Sequence, residues 1–259
     1  MHAPLIPQGS RPAGGRPVLL VLHQELSTPG RVGHYLTKMG VPLDIRRPRF
    51  GDPLPATLDD HAGAVIFGGP QSSNDKDDFI RREIEWIGVP LAEKRPFLGI
   101  CLGAQMMARH LGARVDYHAE GKAEVGYYPI RVQDPARKVC GHWPDVVYQW
   151  HREGFDLPHG AELLAEGDIF PIQAMRYGTG FAIQFHAEVT HAMMCRWTTR
   201  GHARMEMPGA KQRAAHFAER PVYDLAIRTW LMTFLEAWLK LGQEAPARAE
   251  EAIDRHGRA

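Results

Sequence analysis

The residues able to do covalent chemistry sit in three separated stretches. Phe97–Gly112 reads FLGICLGAQMMARHLG and sets Cys101 between Gly99 and Gly103, after a short apolar run and ahead of a helical pattern. G-x-C-x-G in that setting is the cysteine form of a nucleophile elbow, a sharp strand-to-helix turn that lifts the thiol above a sheet edge. The glycines let neighbouring chain approach closely in the turn. The helix behind Cys101 favours thiolate through its N-terminal partial charge, and its first amides point to where an oxyanion would form. A buried structural cysteine fits the same five residues, so the functional reading needs partners.

A thiol nucleophile needs a base, and the base needs an orienter. Phe181–His191, FAIQFHAEVTH, offers both: His186 ends an apolar strand and Glu188 follows two residues later. If that strand lies beside the one ending before Cys101, His186 emerges at the same edge and Glu188 can fix its tautomer. The third stretch is IFGGPQSSND, Ile66–Asp75, a glycine turn after a strand that lacks the GK[ST] ending of a phosphate loop. Its better use is the Gly69 amide, which with the Leu102 amide would make a two-donor oxyanion hole, although GGP alone fits a tight loop at a strand end equally well. One such donor is worth about 2.7–4 kcal/mol in a transition state. His186, Glu188 and His191 form H-x-E-x-x-H, which does not match HExxH, and no further ligand cluster accompanies them, so no metal is expected.

The elements that must position these groups follow from hydrophobic patterning. Val18–Leu22, Val41–Arg47, Ala62–Pro70 and Pro96–Ile100 read as short strands, several of them continuously apolar. Between them, Gly30–Gly40 and Leu102–Gly112 read as helices. So does a stretch whose Ile80, Ile84, Ile87 and Leu91 share one helical face. Strands alternating with helices predict an α/β fold, a doubly wound, mostly parallel sheet covered on both faces. The second half adds strand-like runs at 124–132, 145–150, 162–167, 172–178 and 180–186, expected as antiparallel hairpins followed by a return to the central sheet. Helix resumes after His191. A last helix carries an apolar stripe of Leu225, Trp230, Leu231, Phe234, Leu235, Trp238 and Leu239, expected as core packing.

One domain is expected over 17–245, with a motif core at 18–200 and a helical extension at 201–245. The Pro-, Gly- and Arg-rich residues 1–16 read as a loose tail, 246–259 as a polar tail, and Arg200–Pro221 as a peripheral helical flap. The 259 residues are 44% hydrophobic and 24% charged, with a net charge of +1, ordinary for a globular chain and no draw towards nucleic acid or anionic membranes. Three cysteines without CxxC spacing exclude a disulfide framework or zinc knuckle. Neither a signal peptide nor a membrane span is evident, so a cytoplasmic setting is expected. His110, His118, His142, His151 and His202 show no partner in the sequence and are expected at the surface or satisfied within the fold.

Taken together, GICLGAQ, FGGPQSSND and FHAEVT resemble the triad-type class I glutamine amidotransferase family, in order, from about Val18 to Arg200. Glu120–Ile130 and Trp150–Gly167 also resemble segments of stand-alone members similar to the amidotransferase domain of GMP synthase. The resemblance implies a three-layer, flavodoxin-like architecture without a cofactor. It implies Cys101 as nucleophile, His186 as base, Glu188 as its partner, oxyanion amides at Gly69 and Leu102, and Gln105 in contact with bound glutamine. It also implies that Trp150, His151, Arg152 and Glu153 form the loop that holds the α-groups of the substrate. Two positions depart from the family pattern. Ala187 stands where proline is usual, and Arg152 stands where glycine is usual, adding bulk and charge that could block free glutamine or clamp another γ-glutamyl compound. With no ATP-binding signature in the chain, three readings follow. The chain is an amidotransferase subunit serving a separate synthetase, a self-contained γ-glutamyl hydrolase, or a binding or regulatory protein with little turnover.

Overall fold

The apolar runs of the first half lie side by side as parallel strands, because each is too hydrophobic to leave either face in water. A computed structural model describes residues 15–256, with side chains described as far as residue 241. In chain order it comprises β1 (Val18–Val21), α1 (Gly30–Lys38), β2 (Leu43–Arg46), β3 (Gly63–Ile66), α2 (Asp78–Trp86), α3 (Gly88–Ala92), β4 (Phe97–Ile100) and α4 (Leu102–His110). There follow β5 (Val115–Tyr117), β6 (Glu124–Pro129), β7 (Arg131–Val132), α5 (Asp134–Val139), β8 (Val146–His151), β9 (Glu153–Phe155), β10 (Glu162–Glu166), β11 (Ile172–Tyr177) and β12 (Gly180–Ile183). The chain ends with α6 (His191–Arg200) and α7 (Arg213–His256).

The main sheet has the order β2-β1-β3-β4-β12-β11-β10-β7. Its first five strands are parallel, and β11, β10 and β7 extend it antiparallel. The order 2-1-3-4 followed by a late-returning strand is the flavodoxin-like arrangement. Every residue of β1, β3, β4 and β12 is buried, which accounts for their unbroken apolar character. Alternate residues feed two cores. Val18 and Leu20 face α1 and α7. Leu19 and Val21 face α2 and α4.

Four expectations are corrected. The helix expected across Ile80–Leu91 is two helices, α2 and α3, parting at Ile87. Pro90 has no N–H to bond back to Trp86, so a continuous helix would lose its ladder there. Leu225 does not join the apolar stripe and is 65% exposed. It lies two residues, about 200° of helix, from buried Ile227 and so faces the other way. The run at 124–132 splits. β6 pairs with β8 in a separate two-stranded sheet, while β7 forms the edge of the main one. The strand expected over 180–186 ends at Ile183, and Gln184–His186 leave it as an irregular segment.

The buried face of α7 packs across the sheet through Trp230, Phe234 and Trp238. Phe234 meets Phe181 of β12 edge-on at 5.3 Å, and Trp230 meets Phe185 at 5.3 Å. The backbone of α7 continues to His256. Of the two terminal tails, 1–14 and 257–259 lie outside the described residues. Among the described residues no helix is long and apolar enough to cross a membrane.

Candidate active site

Cys101 occupies the turn between β4 and α4 with φ +51° and ψ −102°, a conformation that L-residues rarely adopt. Strain of this kind persists only where the surroundings over-determine it. The two glycines of the motif show how. A Cβ at Gly99 would overlap the Gly103 carbonyl, and one at Gly103 would overlap the Ile66 carbonyl of β3. The start of α4 is thus pressed against both strands, leaving the thiol at the carboxyl edge of the sheet.

β12 lies beside β4 in parallel register, Ile183 opposite Ile100, and the Cys101 amide donates to the Ile183 carbonyl at 2.9 Å. His186, three residues beyond, reaches the same edge and lines one cavity with Cys101. Gly68 borders both residues. A Cβ there would lie 2.8 Å from His186 Cε1 and 3.4 Å from Cys101 Cβ. Nδ1 of His186 is 2.7 Å from Glu188 Oε1, both side chains being buried. Nε2 has no partner of good hydrogen-bond geometry, yet the Cys101 sulfur is close enough to act on the charge of the ring. Burial opposes the imidazolium. The negative charge of Glu188, with the interactions of Cys101, outweighs it, so the His186 pKa is pushed up to about 10. Trp197 covers the ring edge-on at 4.9 Å. Glu188 is fixed through its backbone: its carbonyl accepts from the Arg31 amide at 2.9 Å, at the start of α1. Ala187 is wholly buried.

Gly69 and Leu102 adjoin, since a Cβ at Gly69 would lie 3.0 Å from Leu102 Cδ2. Leu102 is the first residue of α4, where amides have no intrahelical acceptor. Among the described residues, neither its amide nor that of Gly69 donates to another protein group. Both residues, with Gln105, Trp150, His151, Arg152 and Glu153, line a narrow cleft of about 20 Å³ beside Cys101. Gln105 Nε2 donates to the Glu153 carbonyl at 2.9 Å. Glu153 Oε1 accepts from Ser72 Oγ at 2.7 Å and so joins the wall of the cleft to the 66–75 loop. Arg152 is exposed, its guanidinium 5.3 Å from the Tyr117 ring. His151 is turned inward, with Nδ1 on the Glu153 carbonyl at 2.9 Å and Nε2 on Glu124 at 2.9 Å. Both its nitrogens are engaged, so it offers the cleft ring surface rather than a free donor.

Several neighbours were not foreseen. Arg204 lies in the short 3₁₀ turn His202–Glu206, inside the segment expected as a peripheral flap, yet it lines the cleft. Burial lowers its pKa while the charge of Cys101 opposes that shift. Met205 beside it is buried against Ala123 and Val125, so this segment is packed wall. His23 and Glu83, both fully buried, pair at 2.8 Å behind the glycine turn, and His23 Nδ1 is 3.2 Å from the Gly68 carbonyl. No motif marks either residue. His110 is satisfied by the Ile84 carbonyl at 2.8 Å. His191 does not join His186 and Glu188, its Nε2 standing 3.7 Å from Cys195 Sγ. Among the described residues no group of three His, Cys, Asp or Glu side chains is arranged to hold a metal.

The family model of the class-I glutamine amidotransferases matches residues 24–196. YfeJ of Salmonella typhimurium, named glutamine amidotransferase-like, is 30% identical over 67% of this chain and 76% of its own length. A GMP synthase of Synechocystis is 34% identical over 51% of this chain, a match spanning only 24% of that protein. A glutamine-hydrolysing GMP synthase subunit of Methanocaldococcus jannaschii is 32% identical over 50% of this chain and 65% of its own length. Among solved structures, a glutamine amidotransferase from Thermotoga maritima superposes with a TM-score of 0.78 at 28% identity, over 86% of this chain and 98% of that one. One from Methylobacillus flagellatus shares the fold, with a TM-score of 0.82 at 24% identity over 88% of this chain and 95% of that one.

Proposed function

Because the chain belongs to the class I glutamine amidotransferase family, we propose that it hydrolyses the side-chain amide of glutamine or of a γ-glutamyl compound, with Cys101 as nucleophile. The observation that carries this reading is the 2.7 Å His186–Glu188 contact lining one cavity with a cysteine held at φ +51°.

The Cys101 thiolate attacks the γ-carbonyl carbon. A C–S bond forms and the carbonyl electrons move to oxygen, where the Gly69 and Leu102 amides hold the negative charge. The His186 imidazolium gives its Nε2 proton to the amide nitrogen as the C–N bond breaks. Glu188 keeps the other proton on Nδ1 and so fixes the ring. Ammonia or an amine departs, leaving a γ-glutamyl thioester. Water then gives a proton to His186 and its oxygen bonds to the acyl carbon. The C–S bond breaks, glutamate leaves and the thiolate is restored. The working unit is the single domain 17–245, acting in the cytoplasm. Where glutamine is the substrate, ammonia passes to a separate synthetase.

The test is release of glutamate and ammonia from glutamine and from a γ-glutamyl dipeptide by the wild type and by Cys101→Ser. Turnover of at least one substrate that falls by ~10³-fold or more in the variant is expected. Equal rates in the two proteins would overturn the reading.

A further inference from the structure

Cys101 stands between two unequal spaces. On the side of Leu102 and Gln105 is the 20 Å³ cleft. On the side of His186 is a chamber of about 480 Å³, within the range of small-molecule sites. His186 lines the chamber and not the cleft. In the hydrolysis proposed above, His186 must protonate the departing nitrogen, so the leaving group lies on the chamber side, and the acyl oxygen faces the Gly69 and Leu102 amides. Ammonia has no use for a space of that size.

The chamber wall has a definite chemistry. Arg196 and Arg200 are one turn apart on α6, flanking Trp197, and Arg204 follows in the 3₁₀ turn. Among the described residues none of these three guanidiniums makes an ion pair or donates a side-chain hydrogen bond. Trp150 and Trp197 add aromatic surface, their centroids 5.7 Å apart. Glu25 is the one acid of the lining besides Glu188, which is paired with His186. Unpaired guanidiniums lining one cavity with aromatic side chains suit a planar carboxylate on an organic body.

We propose that the chamber binds the amine portion of the substrate, and that the preferred substrate is a γ-glutamyl amide whose leaving amine carries a carboxylate, a γ-glutamyl amino acid or short peptide. This rests on the hydrolase reading and names its substrate class. The reaction balances as γ-glutamyl amide plus water giving glutamate plus the free amine. The C–N bond is cleaved, its nitrogen takes the proton from His186, and the water oxygen ends on the glutamate γ-carboxyl group.

The experiment compares kcat/KM for γ-glutamylglycine and its uncharged analogue γ-glutamylglycinamide, in the wild type and in the doubly substituted Arg196→Gln/Arg200→Gln protein, with free glutamine alongside. The wild type should favour the acid over the amide by about tenfold or more. The double variant should bring that ratio close to one. Reading a ratio within each protein cancels any general loss of active enzyme, and if the variant does not fold the wild-type ratio still decides. Equal kcat/KM for acid and amide in the wild type, with glutamine hydrolysed, overturns this inference and leaves the hydrolase reading standing. No turnover of any of the three, together with no labelling of Cys101 by an electrophilic glutamine analogue, overturns both.

Discussion

At the scale of single residues, the site depends on where one proton rests. His186 is buried, which alone would strip its charge, but Glu188 and Cys101 beside it hold the imidazolium up to about pH 10. The folded pKa is raised above the ordinary 6.5. The stabilisation it brings is therefore complete below the unfolded value near 6.5 and is lost as pH rises from there through about 10. NMR titration of the imidazole should show a charged ring at neutral pH, and Glu188→Gln should lower the titration midpoint. A wild-type midpoint near 6.5 would contradict the ion-pair account. The same substitution removes the acceptor that fixes the tautomer, and turnover should fall by ~10²–10⁴-fold. Cys101 was legible as a thiol directly after an apolar strand, and His186 and Glu188 as polar groups a few residues past another, although that strand stops at Ile183. Arg204, Arg196 and Arg200 were not. Nothing local separates an arginine aimed at a cavity from one aimed at water.

At the scale of elements, the position of Cys101 is set by the close packing of α4 against β4 and β3. The tighter contact is with β3, where Gly103 leaves no room for a side chain below the Ile66 carbonyl. Gly103→Ala should cost ~1–3 kcal/mol in urea unfolding and disturb the Cys101 turn, because backbone rather than a flexible side chain must yield. Behind the glycine turn, His23 bridges Glu83 of α2 and the Gly68 carbonyl. His23→Ala would leave a wholly buried carboxyl group without its partner, with an expected loss of at least ~2 kcal/mol and slower turnover as the Gly68–Gly69 loop loosens. Unchanged stability would show that the pair is dispensable. The strands of the first half were legible because burial on both faces writes them as apolar runs. The split of 124–132 between two sheets was not legible, since strand partners are chosen by contacts far along the chain. The break at Ile87 was marked in the sequence by Gly88 and Pro90, but the apolar spacing across it masked the signal.

At the scale of the whole molecule, α7 closes the core over the sheet that carries the site. Trp238 is fully buried, and its ring fills the space above Gly63 of β3. Trp238→Ala should destabilise the protein by ~3–5 kcal/mol, read as a lower urea midpoint at an unchanged slope. The stripe of α7 was readable from its helical spacing, whereas the exposure of Leu225 depended on the phase of a helix whose start carries no clear cap. The whole fold also sets the three thiols apart. Cys101 shares its cavity with a charged imidazole, Cys140 has its pKa raised to about 11 by burial, and Cys195 lies half-buried on α6. Treatment with an electrophilic glutamine analogue, followed by peptide mapping of all three cysteines, tests the central claim most directly. The account predicts saturable modification of Cys101 alone, slowed by added substrate and lost in His186→Ala. Modification spread over Cys140 or Cys195, or a Cys101 that reacts no faster without His186, would contradict it.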